Sequence, residues 1–350
     1  MIEGLPRAPI GSDPIEVVLV TGFLGTGKTS LIRAALESVD TARTGVIVNE
    51  AGDTDFDGIQ IAEATGGMSA IRMLGNGCLC CEAQDDLAEA IRALVARHLD
   101  LTGLPSERII VEASGLARPG RLLRQFQQLR ELPLRVRVVA TVDAMLIADP
   151  ERHGEIAAQW AAAGTLVLTR GDMAADGGAR AMAMAQAINP LAVVVTQGSQ
   201  AERAAALFEA GGPTIPALSD APETAPSSSG HGRVRAVTLR QRPGVSWDAC
   251  AEWLDNLGGI GGERVLRVKG LVSPVGSDRS WLVQAVGTTF AVPTAIPRTP
   301  HGHMVVIGEE IDAAFLAEIE PQGLFDLPDS DHSHDHHANH PLHYTDAAHA

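Results

Sequence analysis

The chain has 350 residues, long enough for two compact units that each bury a core. Hydrophobic residues make up 45% of it and aromatics only 3%, so the core has to be built from Ala, Val, Leu and Ile rather than from rings. A net charge of −16, from 43 acidic against 27 basic residues and without any Lys/Arg-rich run, argues against a nucleic-acid groove or an anionic membrane surface.

No stretch approaches the ~18 uninterrupted apolar residues of a membrane span. Residues 1–13 lack a basic segment followed by an apolar one, so they read as a plain N-terminal extension of a cytoplasmic protein. A strand is predicted over 15–20 and a helix from near Lys28. Between them lies Gly22-Phe23-Leu24-Gly25-Thr26-Gly27-Lys28-Thr29, which fills the phosphate-loop template G-x-x-x-x-G-K-[ST] and is followed by Ser30. A glycine-rich turn opening into a helix aims several N–H groups, and the positive end of the helix dipole, at one anion. Lys28 is expected on the β- and γ-phosphates, as a catalytic group, and the Thr29 hydroxyl on Mg²⁺. Lys28 and Lys269 are the only lysines among 27 basic residues, so a chain that otherwise uses arginine keeps an ammonium where a guanidinium fork would not fit.

A second strand over 46–49 is followed by Cys78-Leu79-Cys80-Cys81, flanked by Gly75-Asn76-Gly77 and Glu82. Three thiols at this spacing cannot all project one way from a strand, which predicts a loop, and their chemistry suits Zn²⁺ or Cu(I). Glu50, a histidine, water or a residue of another protein would complete a tetrahedral site. A redox C-x-x-C pair is the alternative, without thioredoxin-like surroundings. Cys250 stands alone and reads as a buried apolar residue. A helix over 86–99 places Leu87, Ile91, Leu94, Val95 and His98 on one stripe.

The strand over 108–113 ends in Glu112, with Gly115 three residues on. Glu112 is placed to hold the Mg²⁺ hydration shell or orient the attacking water, and the Gly115 amide to meet the γ-phosphate. A helix over 120–130 and a strand over 136–142 follow, the latter ending at Asp143, either a structural cap or a catalyst. The strand over 165–169 runs into Thr169-Arg170-Gly171-Asp172. This segment is similar to the guanine-reading N-K-x-D element, in which the aspartate accepts the N1–H and N2–H₂ donors and the basic side chain, here Arg170, lies along the base; a helix N-cap aspartate is the other reading. A helix over 180–188 and a strand over 192–196 complete the unit. Apolar strands joined by helices predict a mostly parallel sheet covered on both faces.

The predicted domains are 14–212, a linker over 213–232 whose Pro/Ser/Gly-rich part is 219–232, and a smaller α+β unit over 233–322. The second unit has strand-like segments at 233–241, 264–275, 280–292 and 303–308 and helices over 247–257 and 311–319. Residues 323–350 read as a disordered tail. Its histidines, His332, His334, His336, His337, His340, His343 and His349, can collect Zn²⁺, Ni²⁺ or Co²⁺.

TGFLGTGKTSL, VNEAGD, GNGCLCC, VEASGLARP, TVDA and LTRGD, in that order, resemble the CobW-related G3E GTPases, and LRVKGLV with HMVVIG resembles that family's C-terminal domain. The resemblance implies a SIMIBI-class P-loop NTPase domain and a slow, metal-stimulated hydrolysis of GTP. It implies zinc delivery to a client apo-metalloenzyme, with cobalt (Co²⁺) delivery to a chelatase in cobalamin synthesis, or metal storage with only regulatory nucleotide binding, as alternatives. It also gives Cys78, Cys80 and Cys81 as the metal motif, Glu50 as a switch-region ligand, and Glu112 with Gly115 as the γ-phosphate sensor. Self-association as a homodimer is left open. Ala51 and Arg118 depart from the family pattern, where phenylalanine and aspartate are usual, and TRGD departs at the base reader.

Overall fold

The computed structural model describes residues 14–37, 43–49, 71–74, 86–145, 150, 153–196, 198–208, 227–231, 233–319 and 323–328. Glu50, Cys78, Cys80, Cys81, the histidines from His332 onward and the 1–13 extension lie outside these residues.

In the first unit, strands and helices alternate: β1 (Ile15–Thr21), α1 (Lys28–Glu37), β2 (Thr44–Asn49), β3 (Ile71–Leu74), α2 (Asp86–Thr102), β4 (Arg108–Glu112), α3 (Pro119–Phe126), β5 (Leu134–Asp143), α4 (Gly154–Ala162), β6 (Thr165–Thr169), α5 (Ala179–Ile188), β7 (Val193–Val195) and α6 (Gln200–Ala205). The seven strands form one parallel sheet in the order β3-β2-β4-β1-β5-β6-β7. Alternate side chains of each central strand enter opposite cores, which is why the strands read as unbroken apolar runs. Val17 and Leu19 of β1 join Ile109 and Val111 of β4 beneath α2, α3, α4 and α5. Val18 and Val20 join Ile110 beneath Leu31, Ile32, Ala35 and Leu36 of α1.

The second unit comprises β8 (Ser227–His231), β9 (Val234–Gln241), α7 (Trp247–Gly261), β10 (Val265–Val272), β11 (Arg279–Val286), β12 (Thr289–Phe290), β13 (Thr294–Pro297), β14 (His303–Glu309), α8 (Ala313–Ile319) and β15 (Phe325–Asp326). Its strands pair antiparallel in the order β12-β11-β10-β14-β9-β15, with β13 on β11 and β8 on β9. One face packs α7 and α8 through Trp253, Leu257, Val268, Val306 and Leu316. The other presents Val234, Ala236, Leu266, Val305 and Ile307 to the helices of the first unit and shares their core. Cys250 of α7 is fully buried in the core of the first of these faces, and burial pushes its thiol up to about 12, as expected of a packing residue. Among the described residues no helix is long and apolar enough to cross a membrane.

Several expectations need correction. Residues 227–231 of the predicted linker form β8, which a sheet edge can recruit through backbone bonds alone, without apolar side chains. Residues 325–326, expected in the tail, form β15, because the Phe325 ring is buried against Trp253 with centroids 4.7 Å apart. The helix expected over 120–130 stops at Phe126 and gives way to turns. The run 280–292 folds back on itself as β11 and β12. Four elements, β3, α4, α6 and β13, carried too weak a periodicity to be read in advance.

The units are also joined by charge. Arg121 on α3 forms a two-pronged pair with Glu263, at 3.2 and 3.0 Å, and Arg118 just before α3 pairs with Glu309 of β14 at 3.0 Å. The hydrogen bond from Arg121, with the charges of Arg121, Arg124 and Arg118, holds the Glu263 carboxyl below its ordinary value of 4.5. A lowered folded-state value stabilises the protein fully above the ordinary carboxyl range, and the contribution is lost as pH falls through the depressed value. Glu263→Gln is therefore expected to lower the melting temperature near neutral pH by a small amount, the pair being half-exposed, and the gap to the parent should close in acid. A pH series of thermal unfolding checks this.

Candidate functional site

The carboxyl ends of the parallel strands lie along one edge, the edge at which open α/β sheets bind ligands. At that edge β1 runs into the glycine loop, β4 ends in Glu112 opposite Val20, and β5 ends in Asp143 opposite Thr169 of β6. Gly22 leaves β1 at φ 146°, and a Cβ there would lie 1.9 Å from Thr141 Oγ1, so only glycine permits this turn. Thr26 Oγ1 donates to the Phe23 carbonyl at 2.8 Å and stands 2.7 Å from Thr141 Oγ1, tying the loop to β5. Lys28 is buried and its Nζ donates to the Gly22 and Phe23 carbonyls at 2.9 and 3.1 Å. The ammonium thus lies folded over its own loop. Thr29 Oγ1 donates to Glu112 Oε1 at 2.8 Å, bringing together two oxygen donors that sequence spacing leaves 83 residues apart. Ser30 is exposed at the first turn of α1.

Gly115 packs directly on the loop: a Cβ there would lie 2.5 Å from Leu24 Cδ2, 2.7 Å from Leu24 N and 2.9 Å from Leu24 Cα. Thr169 Oγ1 donates to the Thr26 carbonyl at 2.8 Å, so the predicted base-reading segment is braced against the loop. Arg170 sits at φ 53° with Nε donating to Asp143 Oδ1 at 2.9 Å, a further ion pair to Asp143 Oδ2, and Nη2 donating to the Gly25 carbonyl at 3.2 Å. Asp143 also accepts from the Met145 N–H at 3.0 Å, which makes it a cap and an anchor for Arg170. Asp172 is exposed beyond the end of β6 and is not a helix N-cap, since Gly178 occupies that position before α5.

The structure therefore brings together Gly22, Gly25, Thr26, Gly27, Lys28, Thr29, Glu112, Gly115, Thr169 and Arg170. Sequence reading missed Thr141 and Gln159, both buried against this site. The one signal for Gln159 was a lone amide inside the apolar run Ile156 to Ala163. Among the described residues no group of three or more His, Cys, Asp or Glu side chains is placed to hold a metal.

A strand, a glycine loop with a buried lysine, and a helix opening beneath it define a P-loop nucleotide-binding protein. Residues 16–196 match the CobW/HypB/UreG nucleotide-binding domain, and residues 234–319 match the cobalamin synthesis protein CobW C-terminal domain. The chain belongs to the CobW/HypB/UreG family of P-loop GTPases. It is 29% identical over 362 residues to the zinc chaperone CobW of Pseudomonas aeruginosa, covering 90% of this chain and 92% of that protein. It is 29% identical over 317 residues to the zinc chaperone YjiA of Escherichia coli, covering 87% and 98%. The Zn(II)-bound crystal structure of the E. coli YjiA GTPase shares the fold, with a TM-score of 0.61 over 89% of this chain and 99% of that one at 19% identity.

Proposed function

We propose that this protein is a GTP-hydrolysing metallochaperone that holds Zn²⁺ on Cys78, Cys80 and Cys81, with Glu50 as fourth ligand, and passes it to a client apo-protein under nucleotide control. The observation that carries this reading is the shared edge of the sheet. β2 ends at Asn49 and β3 at Leu74, both parallel to β1 and β4, so the chain segments carrying Glu50 and the thiols leave from the same side as the glycine loop. Only three residues, Gly75 to Gly77, lie between Leu74 and Cys78, a span of at most ~14 Å. The names of the relatives, zinc chaperones in two bacteria, support zinc as the cargo.

On this reading Lys28 leaves its own loop carbonyls for the β- and γ-phosphates, and the Gly115 amide meets the γ-phosphate. Thr29 and Glu112 present two hard oxygen donors at the loop mouth, a set that fits Mg²⁺ held by Thr29 and by Glu112 through its water shell; the ion neutralises phosphate charge. Asp172 reads the guanine edge, and Arg170, aligned by Asp143, lies beside the base while bracing Gly25. The histidines from His332 to His349 gather metal for the thiols. Losing the γ-phosphate reshapes the segments between β2 and β4 and releases the zinc.

Zinc titration of the GTP-loaded and GDP-loaded protein, beside Cys80→Ser, tests this. Coupling predicts affinities at least ~5-fold apart in the two states, and a loss of tight binding in the variant. Equal affinities would refute nucleotide-controlled delivery. Phosphate release should be faster with GTP than with ATP.

A further inference from the structure

From the contacts between α4 and the turn after β4, we propose that Gln159 is a positioning residue for GTP hydrolysis, setting the orientation of the turn that senses the γ-phosphate. Gln159 is fully buried on α4, and its Nε2 donates to the Gly115 carbonyl at 2.9 Å and to the Ala117 carbonyl at 3.1 Å. Two carbonyls of one turn are thus held by one amide. Because the peptide is planar and trans, turning the Gly115 carbonyl toward α4 points the Leu116 N–H the opposite way, where its contact with Ser114 Oγ is a long 3.5 Å. The Ala117 N–H closes the turn on the Ser114 carbonyl at 2.9 Å. With Gly115 packed against Leu24 on its other side, the turn is clamped between the glycine loop and α4.

Gln159 Oε1 is buried without a hydrogen-bond partner among the described residues. A buried, unpaired amide oxygen costs stability, so packing alone does not account for glutamine here; its two donated bonds do. The helix that carries it is itself held at both ends. His153, at its N-cap, packs its ring at a tilt against Phe23 of the glycine loop with centroids 5.2 Å apart, and Arg267, buried on β10, donates to the Ala162 carbonyl at its last turn. A cation at a helix C-terminus is favoured by the helix dipole as well. The amide is therefore presented from a fixed support, as a group that orients another must be.

The inference rests on the reading of Gly115 as γ-phosphate sensor, and the test separates the two. Full-length parent, Gln159→Met, Gln159→Glu and Gly115→Ala are compared for GTP kcat and KM and for affinity toward GDP and a non-hydrolysable GTP analogue. Gln159→Met keeps the shape and removes both donors. It should lower kcat about tenfold and weaken the analogue while GDP binding stays within about twofold of the parent. Gln159→Glu faces two carbonyls and donates only when protonated, so its kcat relative to the parent should rise as pH falls. That signature survives even if the methionine variant does not fold. Unchanged kcat in Gln159→Met, equal losses for GDP and the analogue, or a flat pH ratio in Gln159→Glu would overturn the proposal. If Gly115→Ala discriminates GTP from GDP as the parent does, the sensor reading fails first; if it loses discrimination and Gln159→Met does not, only the role of Gln159 fails.

Discussion

Lys28→Ala is expected to lower GTP turnover by about 100- to 1,000-fold, with the fold retained. The ammonium donates to the Gly22 and Phe23 carbonyls, both on the loop it would leave when phosphate enters. The bond to Phe23 is part-buried, so water can replace it, while the bond to the Gly22 carbonyl is buried and its loss costs about 1–3 kcal/mol, a fraction of a domain's stability. The loss falls on the charge that forms as the γ-phosphoryl departs, where a preorganised cation in a partly dehydrated loop has its greatest effect. Lys28→Arg should rescue little. In a loop drawn in by the contact of Thr26 with Thr141, the planar fork has to displace the Gly22 and Phe23 carbonyls. Phosphate-release kinetics beside a circular-dichroism melt measure both halves; turnover within about tenfold of the parent for Lys28→Ala contradicts the assignment.

Gly115→Ala is the second large effect, and it discriminates between nucleotides. The new methyl would meet the Leu24 backbone nitrogen at 2.7 Å and Cα at 2.9 Å, atoms that cannot swing aside as the Leu24 side chain can. The turn therefore has to withdraw from the glycine loop and take its amides with it. Hydrolysis of GTP should fall about 100-fold, while GDP, which lacks the phosphoryl this turn is proposed to sense, should bind almost as before. Competition binding with labelled GDP and a GTP analogue reads the difference directly. Equal weakening of both ligands would mean that the methyl merely distorts the loop.

Much of this site was legible because its chemistry is written in contiguous residues. A phosphate loop is one turn of chain between one strand and one helix, so Gly22 to Ser30 reveal it without knowledge of anything distant. The central strands were equally plain, since burial on both faces demands unbroken runs such as Val17 to Val20. The weaker elements were not. The helix α4 reads IAAQWAA, apolar on every side, because it is covered by the first sheet beneath and by β10 and β14 above; without a polar face its period disappears. β8 and β15 hold their places by pairing with β9, which local composition does not record.

Local sequence was sufficient for the class of chemistry: three glycines, a rare lysine and a threonine specify triphosphate binding, and apolar runs alternating with helical stripes specify a parallel sheet, because both depend on neighbours along the chain. The fold alone decided which distant groups meet. Glu112 reaches Thr29, Arg170 closes on Asp143 and Gly25, Gln159 holds the turn at Gly115, and Arg118 joins Glu309 across the two units. Each of these contacts pairs groups on different elements, and their separation in space depends on strand order and on helix packing, quantities that no window of sequence contains.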